Sequence, residues 1–441
     1  METAAVSRAL RKELALPDQF QGAVVVEVFP GGPAAKAGVQ PRDVIEQVES
    51  TRIANDCDFV NTAHSRPCGA VRVILRRAGA SVEATLIPVD QESFLDEACR
   101  NGSGRACFRR AWGFWARNQG IDRQYALEQY QAACQSGSGE ACAHFGRHLL
   151  ERPNDAKAAL AALERSCELE SGGGCAHLAF LYATGKAVAK DDRRAAGLYL
   201  RSCDLGDAQG CYNVGLMADQ GRGGPRNLSR AAARYDEACG MGSSPACTNL
   251  GYLHEKGTGV KKDAARAVAL YQRGCDGTAC RPSNLHGCVN VGRAYRDGIG
   301  VEKDPARSAA IFQQACDGEP GAEDPGAAES RSRACSLLGA LYLAGDGVEK
   351  DPARGRQLSE LGCERGDPFG CFNAAVTAPD PATAASFLEK ACAAGDGEGC
   401  RDLGAAYEKG TGVARDRRRA AALYSKACGL GFKPACPKRA R

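Results

Sequence analysis

C-GMGSSPA-C-TNLGYLHEKGTGVKKDAARAVALYQRG-C, residues 239–275, is the stretch that decides the fold of this 441-residue chain. Cys239 and Cys247 stand eight positions apart, and the next pair of cysteines begins at Cys275, 36 residues after the first. Similarity at a fixed period of this length is typical of repeat proteins, in which one small unit is stacked many times. The sequence therefore predicts a repeat architecture.

The same cysteine pair, with seven residues between its members, recurs along most of the chain. It is found as Cys99/Cys107, Cys134/Cys142, Cys167/Cys175, Cys203/Cys211, Cys239/Cys247, Cys363/Cys371, Cys392/Cys400 and Cys428/Cys436. Cys275/Cys288 and Cys316/Cys335 are two further pairs, stretched by insertions rich in Gly, Pro and Ser, which is typical of surface loops. The ten pairs account for 20 of the 23 cysteines and leave Cys57, Cys68 and Cys280.

A helix is predicted after each second cysteine. Apolar residues recur three positions beyond it, as at Val214 and Leu250, with a glycine one position later, as at Gly215 and Gly251. This spacing indicates a helix of about a dozen residues, which we call the A helix. Glycine inside a helix costs roughly 1 kcal/mol relative to alanine, so its recurrence predicts close approach by a neighbouring helix.

A second helix, the B helix, is predicted before each first cysteine. A Gly-x-Gly-Val segment, as at Gly257–Val260, ends the A helix, because glycine tolerates the left-handed cap. The predicted helix starts carry Asp263, Asp304, Asp351 and Asp416 as N-caps, with Pro305 and Pro352 at the first helical position. An aromatic residue stands four positions before the cysteine at Tyr130, Tyr199, Tyr235, Tyr271, Phe312 and Tyr424. Each helix pair must bury its apolar stripe by stacking on its neighbours.

The cysteine pairs are predicted to form disulfides. The first cysteine ends a B helix and the second begins the next A helix, so the Gly-rich turn between them brings the two together. Closing such a loop contributes about 2.5 kcal/mol in the chain-entropy model. Zinc is the rival explanation, with Cys275, Cys280, Cys288 and His286 as its best cluster, but Cys-x2-Cys knuckles are absent.

No cofactor and no metal site are predicted. His144 and His148 share a helix face but lack a third ligand. Neither a nucleophile elbow, a zinc-protease helix, a P-loop nor a dinucleotide fingerprint is found in the sequence.

The first ninety residues have a different pattern, rich in strands. The stretch 22–48, GAVVVEVFPGGPAAKAGVQPRDVIEQV, predicts a strand, a turn, a short helix and a strand entered through Asp43, and 71–77 and 82–88 form a predicted hairpin. A further short helix is predicted from Cys57 to Ser65. With Gly32–Ala34, Ala37–Gly38 and Asp43–Ile45, this stretch resembles the PDZ domain of the bacterial HtrA type, although Arg42 stands where that family has glycine.

The PDZ resemblance implies a peptide that adds as a strand beside the edge of the sheet. The carboxylate-binding loop of that family would fall at residues 12–16, with Leu14, Ala15 and Leu16 as peptide contacts, and Ala15 replaces the usual central glycine. The alternative is a degenerate domain that only caps the repeats.

The repeats resemble Sel-like repeats, the longer relatives of tetratricopeptide repeats. With a cysteine pair in every unit over residues 99–436 they are most similar to the Helicobacter cysteine-rich proteins. This resemblance implies a right-handed α-solenoid with a concave inner face and one disulfide per unit. Some relatives are described as penicillin-binding or weak β-lactamase proteins, but Ser-x-x-Lys is absent here.

The prediction is therefore a mixed fold, with a PDZ-like domain over residues 1–90 and an all-α solenoid of nine to ten units over 91–441, its first helix, 91–100, acting as a cap. The expected function is a protein–protein interaction scaffold that binds peptides or protein surfaces through the A helices. The expected contacts are Asn213, Asn249, Asn290, Asn373, His144 and His177. The asparagines have a structural alternative, in which they satisfy the backbone of a neighbouring helix.

Two other functions remain open at this point, a β-lactamase-like hydrolase and an assembly factor. A net charge of +4 does not indicate a nucleic-acid-binding surface. No apolar run in the sequence is long enough to span a membrane. The chain is expected to act as a monomer. The 23 cysteines favour an extracytoplasmic protein, periplasmic or secreted. A cytoplasmic location remains open, because the first residues lack the apolar core of a signal peptide.

Overall fold

The structure is a computed structural model that describes residues 2–5, 23–28, 33–48, 51–52, 71–77, 80–86, 120–152, 155–276, 284–318 and 326–436. The chain forms two compact units. The first comprises residues 1–262 with 278–281, and the second comprises 263–277 with 282–441.

An antiparallel sheet forms the N-terminal part of the first unit. Its strands are β1 (Glu2–Ala5), β2 (Ala23–Glu27), β3 (Val44–Val48), β4 (Thr51–Arg52), β5 (Val71–Arg77) and β6 (Ala80–Leu86). They are ordered β1-β2-β3-β5-β6, and β4 pairs with β3. Val73 and Leu75 of β5 are buried at alternate positions, as expected for a sheet with one packed face. In β3 the adjacent residues Val44 and Ile45 are both buried, and the pairing with β5 shifts register just after Ile45.

The sheet differs from the prediction in its details. The second predicted strand is shorter, because residues 39–43 form a turn in which the amide of Gln40 donates to Asp43 Oδ2 (2.8 Å). Arg77 holds the same buried carboxylate through Nη2 and Nε, each at 2.7 Å. Arg42 has a φ of 76° in this turn, the left-handed conformation that glycine adopts most easily. The helix predicted over residues 57–65 lies outside the described residues.

The helical part alternates B and A helices as predicted. The B helices are Gly120–Gln135, Ala156–Glu168, Asp192–Asp204, Leu228–Gly240, Ala264–Asp276, Pro305–Asp317, Pro352–Glu364, Pro381–Ala393 and Arg417–Gly429. The A helices are Gly139–Leu149, Gly172–Thr184, Ala208–Gln220, Ser244–Lys256, Leu285–Asp297, Ala327–Ala344, Pro368–Val376 and Gly397–Lys409. A small β-rich part followed by a helical repeat solenoid is therefore the fold of this chain. The boundary predicted at residues 90–91 lies outside the described residues, and the cap helix predicted over 91–100 does too.

Glycine on the A helix marks the place where the B helix of the same pair approaches. A Cβ added at Gly215 would lie 2.7 Å from the ring of Tyr235 and 3.3 Å from the carbonyl oxygen of Ala231. At Gly404 the corresponding ring is that of Tyr424, at 3.0 Å. The close approach that the sequence predicts is therefore made largely by the aromatic side chain of the B helix.

The Gly-x-Gly-Val segments perform two tasks. The first glycine is the left-handed C-cap of the A helix, as at Gly257, where φ is 71°. The second glycine lies against the first turn of the preceding B helix, as Gly259 does against the backbone of Leu228. A side chain at this second glycine would therefore push two successive helix pairs apart.

Nine disulfides are present among the described residues: Cys134–Cys142, Cys167–Cys175, Cys203–Cys211, Cys239–Cys247, Cys275–Cys288, Cys316–Cys335, Cys363–Cys371, Cys392–Cys400 and Cys428–Cys436. These are the pairs that the spacing predicts. Their Cα atoms lie 4.4 to 4.8 Å apart, the lower part of the range for unstrained bridges. Cys99, Cys107, Cys57, Cys68 and Cys280 lie outside the described residues.

A recurring contact between aspartate, arginine and tyrosine closes several helix pairs, and the sequence analysis missed it. Asp304 is the N-cap of a B helix, and its Oδ1 accepts from the amide of Arg307 (2.9 Å). The guanidinium of Arg307 lies 4.4 Å from the ring centroid of Tyr295 on the A helix. The same cation–π pair is made by Arg194 with Tyr182, Arg354 with Tyr342, and Arg419 with Tyr407.

Replacing Arg307 by methionine is expected to lower the free energy of unfolding by about 0.5–1 kcal/mol, because it removes the cation–π contact and changes helix propensity little. Chemical denaturation of the oxidised protein measures the change. Arg230→Met is the matched control, since Arg230 has the same position but Ala218 replaces the tyrosine. Equal losses in both variants would show that the ring contact contributes nothing.

Candidate functional site

Two rows of A-helix residues hold the candidate binding positions of each unit. The second-position row contains the residues two positions after each second cysteine: His144, His177, Asn213, Asn249, Asn290, Leu337, Asn373 and Asp402. The fifth-position row lies three residues further on: Arg147, Phe180, Leu216, Tyr252, Arg293, Ala340, Val376 and Ala405. Residues three apart are neighbours on a helix surface, so each helix presents one member of each row side by side.

The asparagines of the second-position row are not equivalent. Asn290 is 8% exposed, and its Oδ1 accepts from Arg293 Nη1 at 3.3 Å. Asn249 lies beside the hydroxyl of Tyr235, whose pKa is raised by burial. Asn373 has a buried Nδ2 without a hydrogen-bond partner among the described residues. The contacts of Asn290 and Asn249 are thus with side chains rather than with the backbone of a neighbouring helix, and Asn213 is half-buried.

The fifth-position row exposes large apolar side chains. Phe180 is 49% exposed and Tyr252 is 52% exposed, with the partly buried Leu216 on the A helix between them. Val376, in the second unit, is 69% exposed at the same position. In the first unit three successive A helices therefore present Phe, Leu and Tyr beside His177, Asn213 and Asn249.

The A helices that carry this apolar stripe hold few charges, and these are paired. The helix Gly172–Thr184 contains no charged residue, and Asp219 of the next A helix is paired with Arg226 at 3.1 Å. Glu255 and Lys256, at the end of the third helix, pair at 2.8 Å. The B helices, in contrast, carry charges throughout. The ammonium group of Lys256 also lies 5.4 Å from the ring centroid of Tyr252, so a cation stands at one end of the face formed by Phe180, Leu216 and Tyr252.

An aromatic cluster lies at the first A helix. The ring of Tyr130 stacks on His144 at 5.5 Å and on His148 at 6.1 Å between centroids. Arg147 Nη2 lies 3.3 Å from His144 Nδ1. Burial, and then the charges of Arg147, His148 and His177, lower the pKa of His144 to about 3. His144 is therefore neutral at physiological pH.

Among the described residues, one group of three metal-ligand side chains converges: Cys203, Cys211 and Glu237. Its sulfur atoms are joined in a disulfide, which removes the thiolates that a metal would need. Cys275 and Cys288 of the candidate zinc cluster are likewise bonded to each other. His286, the fourth member of that cluster, has its Nδ1 3.3 Å from the hydroxyl of Ser330.

The Sel1 repeat model matches this chain at residues 173–207, 208–243, 244–278, 285–319, 332–367, 374–396 and 397–432, which together make up more than half of its length. The chain belongs to the Sel1 repeat family. Each of the first three matched repeats consists of one A helix and the B helix that follows it. The disulfide Cys203–Cys211 accordingly joins the end of one Sel1 repeat to the start of the next.

One solved Sel1 repeat structure shares this fold, and two further solved structures are similar to parts of the chain. A Sel1 repeat protein from Oxalobacter formigenes is 21% identical with a TM-score of 0.51, over 74% of this chain and 91% of its own. A protective antigen of uropathogenic Escherichia coli with an SLR fold is 22% identical with a TM-score of 0.47, over 79% and 81%. Cysteine-rich protein B of Helicobacter pylori is 32% identical with a TM-score of 0.25, over 29% of this chain and 93% of its own.

The chain is also similar to a curated serine protease, HTRA1A of Danio rerio, with 33% identity over 89 residues. That match covers 20% of this chain and 18% of the protease. Leu14, Ala15 and Leu16, the peptide contacts expected from the PDZ resemblance, lie outside the described residues. Among the described strands, β1 pairs on one side only, with β2.

Sequence reasoning missed the fifth-position row of the Sel1 array. It singled out the asparagines, because they recur, and left Phe180 and Tyr252 unassigned, because apolar residues at helical spacing are normally buried. The sequence does contain a signal for this row. Phe180 and Tyr252 stand at the fifth position after the second cysteine, and two other repeats carry an arginine there, Arg147 and Arg293. A position that tolerates both arginine and phenylalanine across repeats is a surface position.

His144→Asn introduces the residue that other repeats carry at this position, and it is expected to flatten the acid limb of the stability profile. The folded pKa of His144 is about 3, below the ordinary 6.5 of an unfolded histidine. The neutral side chain of His144 therefore contributes fully to the free energy of unfolding above about pH 6.5. This contribution is lost as the pH falls towards 3. Denaturation at several pH values measures this difference, and parallel curves for the two proteins would refute it.

Among the described residues, no helix combines the length and hydropathy needed to cross a membrane.

Proposed function

We propose that this Sel1 repeat protein is a protein-interaction scaffold whose A helices bind segments of partner proteins. The observation that carries this proposal is the exposed apolar stripe of Phe180, Leu216 and Tyr252 beside the polar second-position row. Phe180 and Tyr252 are half-exposed, with the partly buried Leu216 on the A helix between them, and exposed apolar surface of this kind often marks a site that a partner covers. Stacked repeats generally bind through such extended surfaces.

A second peptide site is proposed at the edge of the N-terminal sheet. Strand β1 pairs with β2 and has no second neighbour among the described strands, and an exposed edge accepts an added strand. Leu14, Ala15 and Leu16 remain the predicted contacts for the carboxylate end of such a peptide. The opposing possibility, a domain that only caps the repeats, predicts no peptide binding by this region.

An oxidising compartment fits the nine disulfides. We place the protein in the periplasm or outside the cell, acting as a monomer without a cofactor. A penicillin-binding or weak β-lactamase-like activity rests on family resemblance alone, and none of the described residues forms a site that favours it. Hydrolysis of a chromogenic β-lactam would support that alternative, and no turnover would retire it.

Selection from a random peptide library tests the scaffold function on the full oxidised chain. We expect peptides that bind the wild-type protein and lose binding to the double variant Phe180→Ser, Tyr252→Ser. Val376→Ser is the matched control, because it removes an exposed apolar residue from the same row in the other unit. A library that yields no peptide sensitive to the double variant would overturn the proposal for this face.

A further inference from the structure

The loops that follow the three A helices of the apolar stripe are strongly basic. Segments 185–194, 221–230 and 257–262 each begin at the left-handed glycine that caps an A helix, and together they hold nine basic and two acidic residues. The corresponding segments 298–307 and 345–354 of the second unit hold four basic and five acidic residues. The excess of positive charge is therefore a property of the first unit and not of these loops in general.

The three basic loops form one continuous edge, because each later loop lies on the start of the preceding B helix. Arg222 in the second loop donates to the carboxylate of Asp192 and, at 2.7 Å, to the carbonyl oxygen of Ala183. The hydroxyl of Ser229 donates in the same way to the carbonyl oxygen of Gly259 in the third loop (2.9 Å). Cations on successive loops thus share one surface.

Part of this positive charge is used within the fold. Four of the nine cations pair with carboxylates of the first unit: Lys190 and Arg222 with Asp192, Arg226 with Asp219, and Arg194 with Glu164. Asp191 caps its helix by accepting from two backbone amides. The other five cations are exposed and have no carboxylate partner among the described residues. They are Lys186, Arg193, Arg230, Lys261 and Lys262, which we call the basic edge.

The fold itself does not require cations at two of these positions. Lys186 stands where the second unit has Asp346, and Lys261 stands where it has Glu302 and Glu349. The loops of this Sel1 array therefore accept an acidic residue at both positions. Lysine at both positions of the first unit, without a counter-charge in the fold, points to a partner that supplies the negative charge.

The basic edge adjoins the apolar stripe. Phe180 and Tyr252 lie one turn before the last residues of their A helices, Thr184 and Lys256, and the basic loops begin at the next residue. Lys256 pairs with Glu255, and its ammonium group lies 5.4 Å from the ring centroid of Tyr252. A ligand that covers the stripe therefore reaches the cations as well.

The combined surface favours one class of anionic ligand. Nucleic-acid-binding domains usually have isoelectric points above 9, whereas the isoelectric point of this chain is about 8.1. A bilayer surface meets the side chains that project furthest and leaves Leu216, which is less exposed than Phe180 and Tyr252, uncovered. An acidic segment of a protein supplies carboxylates for the edge together with apolar side chains for the stripe.

We propose that the partner segment bound by the apolar stripe is acidic, and that its carboxylates pair with the basic edge. This inference rests on the proposed scaffold function and specifies its ligand class. The apolar residues of the segment cover Phe180, Leu216 and Tyr252, and the acidic residues beside them meet the loops. Pairing with exposed cations requires no particular backbone conformation, so the segment is defined by its composition. Complementary charge of this kind selects the partner and speeds its association.

The peptides recovered from the random library test this inference on the full oxidised chain. We expect the peptides that lose binding to Phe180→Ser, Tyr252→Ser to be enriched in Asp and Glu relative to the starting library. Fluorescence anisotropy of one such peptide should show about tenfold weaker binding to the double variant Lys186→Asp, Lys261→Glu, which replaces two attractions by repulsions. Sodium chloride should also weaken the binding, because it screens exposed ion pairs.

Arg417→Asp, Arg418→Glu is the matched control. It changes the net charge by the same amount at two exposed cations of the second unit, and acidic residues are favourable in the first turn of a helix. Binding of the peptide to this variant should equal binding to the wild type. Equal losses in the two charge-reversed variants would overturn the inference, since they would show attraction by net charge alone.

Peptides that depend on the stripe but show no acidic enrichment, or that bind Lys186→Asp, Lys261→Glu as tightly as the wild type, would overturn the inference and leave the scaffold function standing. An oligothymidylate or phosphatidylglycerol vesicles that bind more tightly than every selected peptide, and lose binding to that variant, would overturn it in favour of nucleic acid or lipid. A library without any stripe-dependent peptide would remove the scaffold function and this inference together.

Discussion

Reduction of the disulfides is expected to abolish the stable fold of the Sel1 array. Each eight-residue bridge contributes about 2.5 kcal/mol by restricting the unfolded chain, and the 19-residue loop of Cys316–Cys335 contributes about 3 kcal/mol. Nine such contributions together exceed the 5–15 kcal/mol by which domains are typically stable. Thermal unfolding followed by far-ultraviolet circular dichroism, with and without dithiothreitol, measures the effect, and we expect the midpoint to fall by tens of degrees.

Two double variants compare the contribution of an interior disulfide to stability with that of the terminal disulfide. Cys203→Ala with Cys211→Ala removes a bridge between two interior repeats, whereas Cys428→Ala with Cys436→Ala removes the last one. Repeat arrays unfold through nearest-neighbour contacts, so the interior loss should destabilise helices on both sides and the terminal loss only the final helix. A reduced protein that melts within a few degrees of the oxidised one would contradict the expectation.

The state of the cysteines is measured by intact mass after alkylation without reduction. Nine bridges hold 18 of the 23 cysteines, so the oxidised protein should take up no more than five labels. Three labels would indicate the tenth bridge, Cys99–Cys107, that the spacing predicts. Uptake of all 23 labels would remove the basis for both the disulfides and the oxidising compartment.

Gly215→Ala is expected to destabilise the fold by about 1–3 kcal/mol, although alanine is the better helix former. The added Cβ would lie 2.7 Å from two atoms of the Tyr235 ring, which is fully buried and has little room to move. Overpacking at this position pushes the two helices of one repeat apart. Chemical denaturation of the oxidised variant measures the change.

Gly197→Ala is the matched control and should change stability in the opposite direction. Gly197 also lies inside a helix, Asp192–Asp204, but a Cβ there meets no atom within 4 Å. Alanine should therefore stabilise the protein by about 0.5–1 kcal/mol. If both substitutions stabilised the fold, the glycine at the fourth position would have no packing role.

The periodic features of the repeats are predictable because each one serves the same local need in every unit. The cap glycine, the N-cap aspartate and the cysteine pair each act within a few residues, so their spacing alone identifies them. The Sel1 array also contains pairs of serine and glycine residues that pack against each other, and the sequence of a single repeat cannot reveal them. Ser166 and Ser202, just before the first cysteine, face Gly174 and Gly210, just before the second, where any Cβ would collide with the hydroxyl.

The candidate site was less predictable, because exposure depends on how repeats stack. The asparagines recur in sequence, but only the fold separates the hydrogen-bonded Asn290 from the open Asn213. Phe180 and Tyr252 look like core residues in a linear pattern, and stacking leaves them on the surface. The PDZ-like contacts Leu14, Ala15 and Leu16 stay predictions, as do the roles of Cys57, Cys68 and Cys280.

Because each bridge joins the last turn of one repeat to the first turn of the next, the covalent links lie at the junctions. The two helices of one repeat are held together by non-covalent contacts. When the protein is pulled from its ends, a single repeat can open, but the residues enclosed by each bridge stay out of the extended chain. Each junction with a sequence separation of 8 thereby withholds about 28 Å of contour, and the junctions of Cys275–Cys288 and Cys316–Cys335, with separations of 13 and 19, withhold more. A protease cut inside a junction turn likewise leaves the two fragments tied together until the bridge is reduced.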